Sequence, residues 1–489
     1  MARDALQIVK VLCNGLDEAG ISYCHWKSNE ALDRSASGEN DLDLLVDRAD
    51  AEQFAGILHR AGFKEARLPS GRELPGVIDW YGLDPAARRP VHVHAHYQLI
   101  LGDDMTKNVH LPIERAYLAT ARPDSLFKVP SAELELVVFV IRMVLKHSAW
   151  DAILMFQGNL AASERRELHW LTERADPIDV AGVVTEHLPF LGVALFERCQ
   201  RAIQPDASLL ERVRTARGLT RALAAQSRRR PAVDTILKVS RRARAAFAHK
   251  VLGRRVRKRL SAGGCVVGIV GGDGSGKSSA VKELVKLLGR DLDVRSYHLG
   301  KPPRAVLSHL VRTVVRAGRL AGLFSNTRLP PSATGPASAA SYPGLAWLVW
   351  HTLNARDRWR AYGQARRFAT NGGIAICDRY PLRHLYLMDG PRAHGLSSTP
   401  GLGASARWLS RLERSYYDAI LYPDLLIVLT VEPDRAASRR PEQDVDFVRS
   451  RNAEVAAFDW RGTPAKVVDA NRPAADVLAD VCAHVWSAL

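Results

Sequence analysis

Apolar residues recur along this chain at spacings that predict different elements. Short unbroken apolar runs at 265–270, 373–377 and 425–431 predict buried strands of the parallel type. Behind the first of them, helical spacing over 279–288 predicts a helix. In the N-terminal half, alternation at Leu42–Val46 and again at 91–96 predicts half-buried strands. Helical periods at 51–63 and 131–150 predict helices, the second opening a helical part that continues to about residue 220. Residues 1–12 read as an amphipathic helix with interspersed charges rather than a secretion signal. The pattern is that of an α/β chain.

At 489 residues the chain is too long for one ordinary core, and two or three domains are expected. Apolar residues make up 47% and charged residues 25%, the balance of a soluble globular protein, and no apolar run reaches the roughly 18 residues that span a bilayer. The six cysteines lack C-x-x-C spacing and read as buried thiols of a reducing cytoplasm. The net charge of +17 is concentrated: residues 221–260 carry fourteen Lys and Arg against Asp234 alone. From Thr235 to Leu260, Ile236, Val239, Ala243, Phe247 and Val251 recur near helical period among those charges. Such a helix suits an anionic membrane surface or nucleic acid, or packs its stripe on a neighbour and solvates its charge.

The chemistry begins at Gly271-Gly272-Asp273-Gly274-Ser275-Gly276-Lys277-Ser278, which satisfies G-x-x-x-x-G-K-[ST] between a predicted strand and a predicted helix. The glycines let successive N–H groups and the helix N-terminus face a phosphate chain. Lys277 is placed for the β and γ phosphates of ATP, and the Ser278 hydroxyl for Mg²⁺.

With Ser279 added, this loop resembles the D-G-x-G-K-S-[ST] loop of thymidylate kinases. Asp378-Arg379-Tyr380, at the end of the 373–377 strand, is similar to the D-R-Y motif of that family. The resemblance implies that Asp378 lies near metal and substrate phosphate, that Arg379 grips the acceptor phosphate, with Tyr380 beside it, and that Asp273 contacts an acceptor sugar hydroxyl. The helical stretch around Asp357-Arg358 resembles the family helix whose Arg approaches the substrate, which marks Arg358. Residues 422–433 resemble the strand leading into the mobile lid, where Arg439 or Arg440 would meet transition-state charge. Residues 467–470 look like the last strand. One departure concerns the acceptor: the family's R-E-P-G segment is replaced by 294–303, and a long basic and Pro/Ser/Ala-rich insertion follows to about Pro343.

In the N-terminal half, Asp41 and Asp43 alternate along a strand, so both carboxylates point to one face. This resembles the D-x-D strand of polymerase-β-type nucleotidyltransferases, with Lys27-Ser28 upstream where that family has Gly-Ser. The resemblance implies a metal held by Asp41 and Asp43. A third carboxylate is missing from the later strand, which offers His92, His94 and His96 on one face instead. Two readings fit: a metal site of imidazoles and carboxylates suited to Zn²⁺ or Mn²⁺, or a degenerate site that binds nucleotide without transferring it.

The expected organisation is a nucleotidyltransferase-like α+β domain at 1–130, a helical region at 131–220, a basic linker at 221–262 and a P-loop kinase at 263–489. The kinase is expected to have a parallel sheet flanked by helices. The expected activity is ATP- and Mg²⁺-dependent phosphoryl transfer to a small-molecule acceptor, a nucleoside monophosphate such as dTMP, in the cytoplasm; a dimer is compatible with the sequence. A kinase for a sugar or glycan precursor, or a regulatory nucleotide-binding protein, are the alternatives.

Overall fold

The computed structural model describes residues 5–68, 73–74, 76–103, 105–147, 159–250, 257–320, 344–398 and 400–489. The chain forms two compact units, Met1–Lys258 and Arg259–Leu489.

The first unit is α+β. Its helix α1 (Gln7–Glu18) precedes strands β1 (Tyr23–His25) and β2 (Leu42–Val46), helix α2 (Ala51–Arg60), and strands β3 (Lys64–Arg67), β4 (Val77–Asp84) and β5 (Arg89–His96). The strands lie in the order β1-β2-β5-β4-β3, with β2 and β5 parallel and the other neighbours antiparallel. Alternation decides which side chain goes where. Leu42, Leu44 and Val46 join Val91, Val93 and Ala95 in a core with Val9, Leu12, Phe54 and Leu58 of α1 and α2. Asp43 and the histidines of β5 therefore face the other side of the sheet. Register sharpens this: Asp43 stands opposite His94, and Asp79 of β4 stands opposite the same His94.

Leu45 and Trp26, on that other side, join a second core built on helix α3 (Ala132–His147). Leu134, Val137, Val138, Ile141 and Val144 of α3 are buried, and α3 packs against α4 (Ala162–Arg174), α5 (Pro177–His187), α6 (Val193–Ala202) and α7 (Leu209–Ala222). Burying one Leu or Ile here is worth about 2–3 kcal/mol. The helix expected over 131–150 is described as Ala132–His147, and the rest of that expectation lies outside the described residues. Likewise the opening helix begins at Gln7, with residues 1–4 outside the description.

The basic segment forms α8 (Pro231–Lys250). Its expected continuation to Leu260 does not hold, because Arg259–Leu260 is a short strand; residues 251–256, Val251 included, lie outside the described part. Ile236, Val239 and Phe247 are exposed, while Arg242 pairs with Asp103.

The second unit carries β6 (Cys265–Gly271), α9 (Lys277–Leu288), β7 (Val294–His298), α10 (Leu345–Thr370), β8 (Ile374–Asp378), β9 (Leu425–Thr430), α11 (Pro433–Ser438), α12 (Val445–Ala457) and β10 (Ala465–Asp469). Its sheet runs β7-β8-β6-β9-β10 with every pairing parallel. Val266, Val267, Ile269, Ala375, Ile376, Leu426 and Ile427 are wholly buried, as expected of strands covered by helices on both faces. The order reverses at β6, so the carboxyl ends of β6 and β8 open a crevice where ligands bind in such sheets. Most of the expected insertion, residues 321–343, lies outside the description. All six cysteines are buried, and none is in a disulfide. No described helix is long and apolar enough to cross a membrane.

Candidate functional site

In the crevice of the second unit, the loop after β6 turns into α9 through Gly274 and Gly276, whose φ values of 79° and 91° favour glycine. Gly272 is needed for a different reason: a Cβ there would stand 2.0 Å from Asn452 Oδ1. Asn452, on α12, donates to the Asp273 carbonyl and so braces the loop. Ser275 donates to the Gly272 carbonyl. Ser278 and Ser279 lie exposed in the first turn of α9, where unsatisfied N–H groups and the helix dipole favour an anion.

The Lys277 ammonium is buried and donates to the Gly272 carbonyl. Burial, helped by the Arg379 charge, pushes its pKa down to about 8. A phosphate chain would reverse that cost by supplying the missing counter-charge.

Three strands and a helix bring the remaining groups. Asp378 ends β8, and its Oδ1 is buried without a hydrogen-bond partner. Arg379, next in the chain, adopts φ 54°, an uncommon conformation for a non-glycine residue that tends to persist at ligand sites. Its guanidinium reaches Asp273 Oδ1 at 3.1 Å and Asp389 Oδ2 at 3.6 Å. From α12, Arg451 donates to the other Asp273 oxygen at 2.7 Å and stacks on Phe447, 4.2 Å from its ring centroid. Burial raises the Asp273 pKa, but the hydrogen bond and charge of Arg451 outweigh it and hold the carboxyl below its ordinary value. Asp273, Arg379, Arg451, Lys301, Asp389 and Phe447 line a cavity of about 380 Å³.

Other expected residues are placed differently. Arg358 is buried and spent on four acceptors: the Leu299 and Gly300 carbonyls, the Tyr417 hydroxyl and Asp389. It holds the cavity wall in place and does not line the cavity. The Tyr380 ring is 1% exposed, and its hydroxyl donates to the Leu421 carbonyl, so it belongs to the core rather than to an acceptor pocket. Of the two lid candidates, Arg439 reaches the Gly274 carbonyl at 3.1 Å, whereas Arg440 pairs with Glu442 on the surface. Arg451, Asn452 and Asp389 escaped the sequence reading. Their only local signal is a polar face on an otherwise unremarked helix and loop.

The first unit gathers a second constellation. Lys27 donates to Asp43 Oδ1 at 2.9 Å, and His94 Nδ1 approaches the same oxygen at 3.2 Å. His96 Nε2 lies 3.2 Å from His94 Nδ1 and 3.8 Å from Asp43 Oδ1. Asp41 is separate: its side chain is 58% exposed and meets His92 Nδ1 at 3.0 Å. Asp79 stands on the far side, hydrogen-bonded to His92 Nε2 at 2.8 Å and to Lys258 Nζ at 2.9 Å, and 3.7 Å from His94 Nε2. A third carboxylate thus does enter the cluster, from β4 rather than from β5.

Burial opposes the Asp43 charge, but Lys27 and the two imidazoles hold its pKa well below the usual carboxylate range. Burial drives the His94 pKa down and that of His96 far down, against the pull of Asp43. His92 is raised, because the hydrogen bonds of Asp41 and Asp79 outweigh its burial. The turn at Lys27-Ser28 is occupied by the protein itself. The Ser28 N–H donates to Glu167 at 3.0 Å and the Asn29 N–H to Glu135 at 3.4 Å.

No protein-family model matches the chain. Among curated proteins it is similar to the uncharacterized ATP-binding protein YghR of Escherichia coli strain K12, 24% identical over 219 residues, which cover 44% of this chain and 83% of YghR. It is also similar to the uncharacterized ATP-binding protein YghS of the same strain, 26% identical over 220 residues, 44% of this chain and 89% of YghS.

Proposed function

We propose that the second unit is an ATP-dependent phosphotransferase whose acceptor is a nucleoside monophosphate, dTMP or a related nucleotide. The observation that carries this reading is Asp273: a donor-loop carboxylate clasped by Arg379 and Arg451 on the wall of the 380 Å³ cavity. The phosphate loop and two arginines with planar forks therefore share one rim. The ATP-binding description of the two relatives supports the donor half of the reading.

In this scheme Lys277 and the N-terminus of α9 receive the β and γ phosphates. An acceptor phosphate draws Arg379 away from Asp273, and the released carboxylate is free to accept from a sugar hydroxyl. Arg439, already against the phosphate loop, closes over the transferring group. The unpartnered Asp378 Oδ1 and the Ser278 hydroxyl fit a Mg²⁺ ion, which when bound would neutralise phosphate charge. Catalysis of this kind is positioning plus electrostatics, and no covalent nucleophile is required.

The test is release of ADP by purified protein with ATP, Mg²⁺ and a panel of nucleoside monophosphates and sugars. Turnover that depends on a nucleotide acceptor is expected. Turnover with a sugar alone would replace the acceptor, and ATP binding without acceptor-dependent turnover would replace the kinase by a nucleotide-binding regulator.

A further inference from the structure

The phosphate site does not use the first unit's histidine cluster, and that cluster has the dimensions of a metal centre. We propose that Asp43, His94 and His96 bind one divalent transition-metal ion of the Zn²⁺ class through Asp43 Oδ1, His94 Nδ1 and His96 Nε2, with a further coordination position open to solvent or ligand.

The argument is first geometric. A tetrahedral ion with ligands at about 2.0–2.1 Å separates any two of them by roughly 3.4 Å. The three separations here are 3.2, 3.2 and 3.8 Å. These atoms already form one face of such a tetrahedron, and an ion can enter with shifts of a few tenths of an ångström. The donor set of two imidazoles and one carboxylate suits a transition ion rather than Mg²⁺, which prefers oxygen ligands and keeps its waters.

The surroundings limit how far the ligands can turn. His94 points its other nitrogen, Nε2, toward Asp79 at 3.7 Å, so a small approach of that carboxylate would let it accept the N–H of a ligating imidazole. His96 is fully buried, its ring set edge-on to Trp26 at 5.0 Å. Strand register holds Asp43 and Asp79 on either side of His94, so the arrangement is built into the sheet rather than into mobile loops.

Asp43 also lines a cleft of about 910 Å³ together with Lys27, Lys107 and Arg142, a space with room for a ligand beside its carboxylate. Three protein ligands with an open position mark reactive sites, whereas structural zinc is closed by four.

Lys27 is the apparent obstacle, since its ammonium sits on the same Asp43 oxygen. It is a placeholder cation. Its side chain is partly exposed at the cleft, and its long stem lets the ammonium swing there when an ion takes over Asp43. This makes a prediction that a plain hydrogen-bonded cluster does not: Lys27→Met removes a competitor and tightens metal binding.

The experiment is equilibrium dialysis of untagged full-length protein against Zn²⁺ without nucleotide, with bound metal counted by mass spectrometry. The visible absorption of a Co²⁺-substituted sample reports the geometry. About one equivalent is expected, with a tetrahedral Co²⁺ spectrum. His94→Ala and His96→Ala should each abolish it, Asp79→Asn should weaken affinity roughly 10- to 100-fold, Lys27→Met should strengthen it several-fold, and Asp41→Asn should leave it intact. If His96→Ala fails to fold, the half-buried His94→Ala decides. Absence of bound metal in both the unmutated protein and Lys27→Met would overturn the proposal. So would metal retained by His94→Ala, which would place the ion elsewhere.

Discussion

The two units each offer a turn, a lysine and a carboxylate, yet the side chains aimed at the two turns differ in kind. Around the phosphate loop, Arg379, Arg439 and Arg451 converge on backbone and on Asp273, and Lys277 is pressed into the loop it serves. At the corresponding turn of the first unit, Glu167 and Glu135 take the Ser28 and Asn29 N–H groups, and Asp41, Asp43 and Asp79 surround the histidines. A turn whose surroundings supply cations is prepared for an anion. A turn whose amides are already filled by acid side chains has lost that use, while the nearby aspartates and imidazoles suit a cation. A turn with exposed N–H groups acquires its chemistry from what the rest of the fold aims at it.

The largest effect should come from removing the charge at the heart of the anion site. Lys277→Ala is expected to lower phosphoryl transfer by roughly 10²- to 10³-fold or more, with an unchanged far-ultraviolet circular dichroism spectrum. Turnover close to normal in that folded variant would remove the phosphate loop from the reaction.

Next in size is Arg379→Lys, which keeps the charge and loses the fork. A charge-assisted hydrogen bond contributes about 1.5–3 kcal/mol, so acceptor-dependent kcat/KM should fall about tenfold or more while ATP affinity, measured by calorimetry, holds. An equal loss of ATP affinity would assign Arg379 to the donor side and erase the division of labour drawn above.

The carboxylate-filled turn is tested through pH. Burial, with Glu167 nearby, raises the Glu135 pKa to about 8 from 4.5 despite the hydrogen bonds of Asn29 and the Arg142 charge. Between those values the folded state keeps a proton that the unfolded state has lost. Stability therefore falls as pH rises from about 4.5 to 8, by an amount on the order of a few kcal/mol. Glu135→Gln should flatten this part of the curve of Tm against pH. A variant curve parallel to that of the unmutated protein would show that Glu135 ionises normally.

The smallest effect separates the two lid arginines. Arg440→Ala, which breaks only an exposed pair with Glu442, should change turnover by no more than about twofold. Arg439→Ala should cost far more, because it removes the contact to Gly274. Reversed magnitudes would mean that the lid rearranges before transfer.

Much of this protein is legible in the sequence because the relevant signals are local. The strand, loop and helix from Cys265 to Leu288 are contiguous, as are the β8 strand and its Asp378-Arg379 end, and the alternation of β2 and β5 that puts Asp43 and the histidines on one face. Such features follow from backbone sterics and from the period at which side chains change face, and a few neighbouring residues specify them. The residues that decide what each site can do are not local. Arg451 comes from a helix far along the chain to hold Asp273, Asp79 from a neighbouring strand to stand behind His94, and Glu167 from α4 to fill the Ser28 amide. Tyr380 and Arg358, which look free in the sequence, are claimed by the core and by the cavity wall. Long-range partners are selected by packing and by strand register, and these exist only once the chain has folded. Periodicity determined which faces would carry chemistry, and tertiary structure decided which charges meet there.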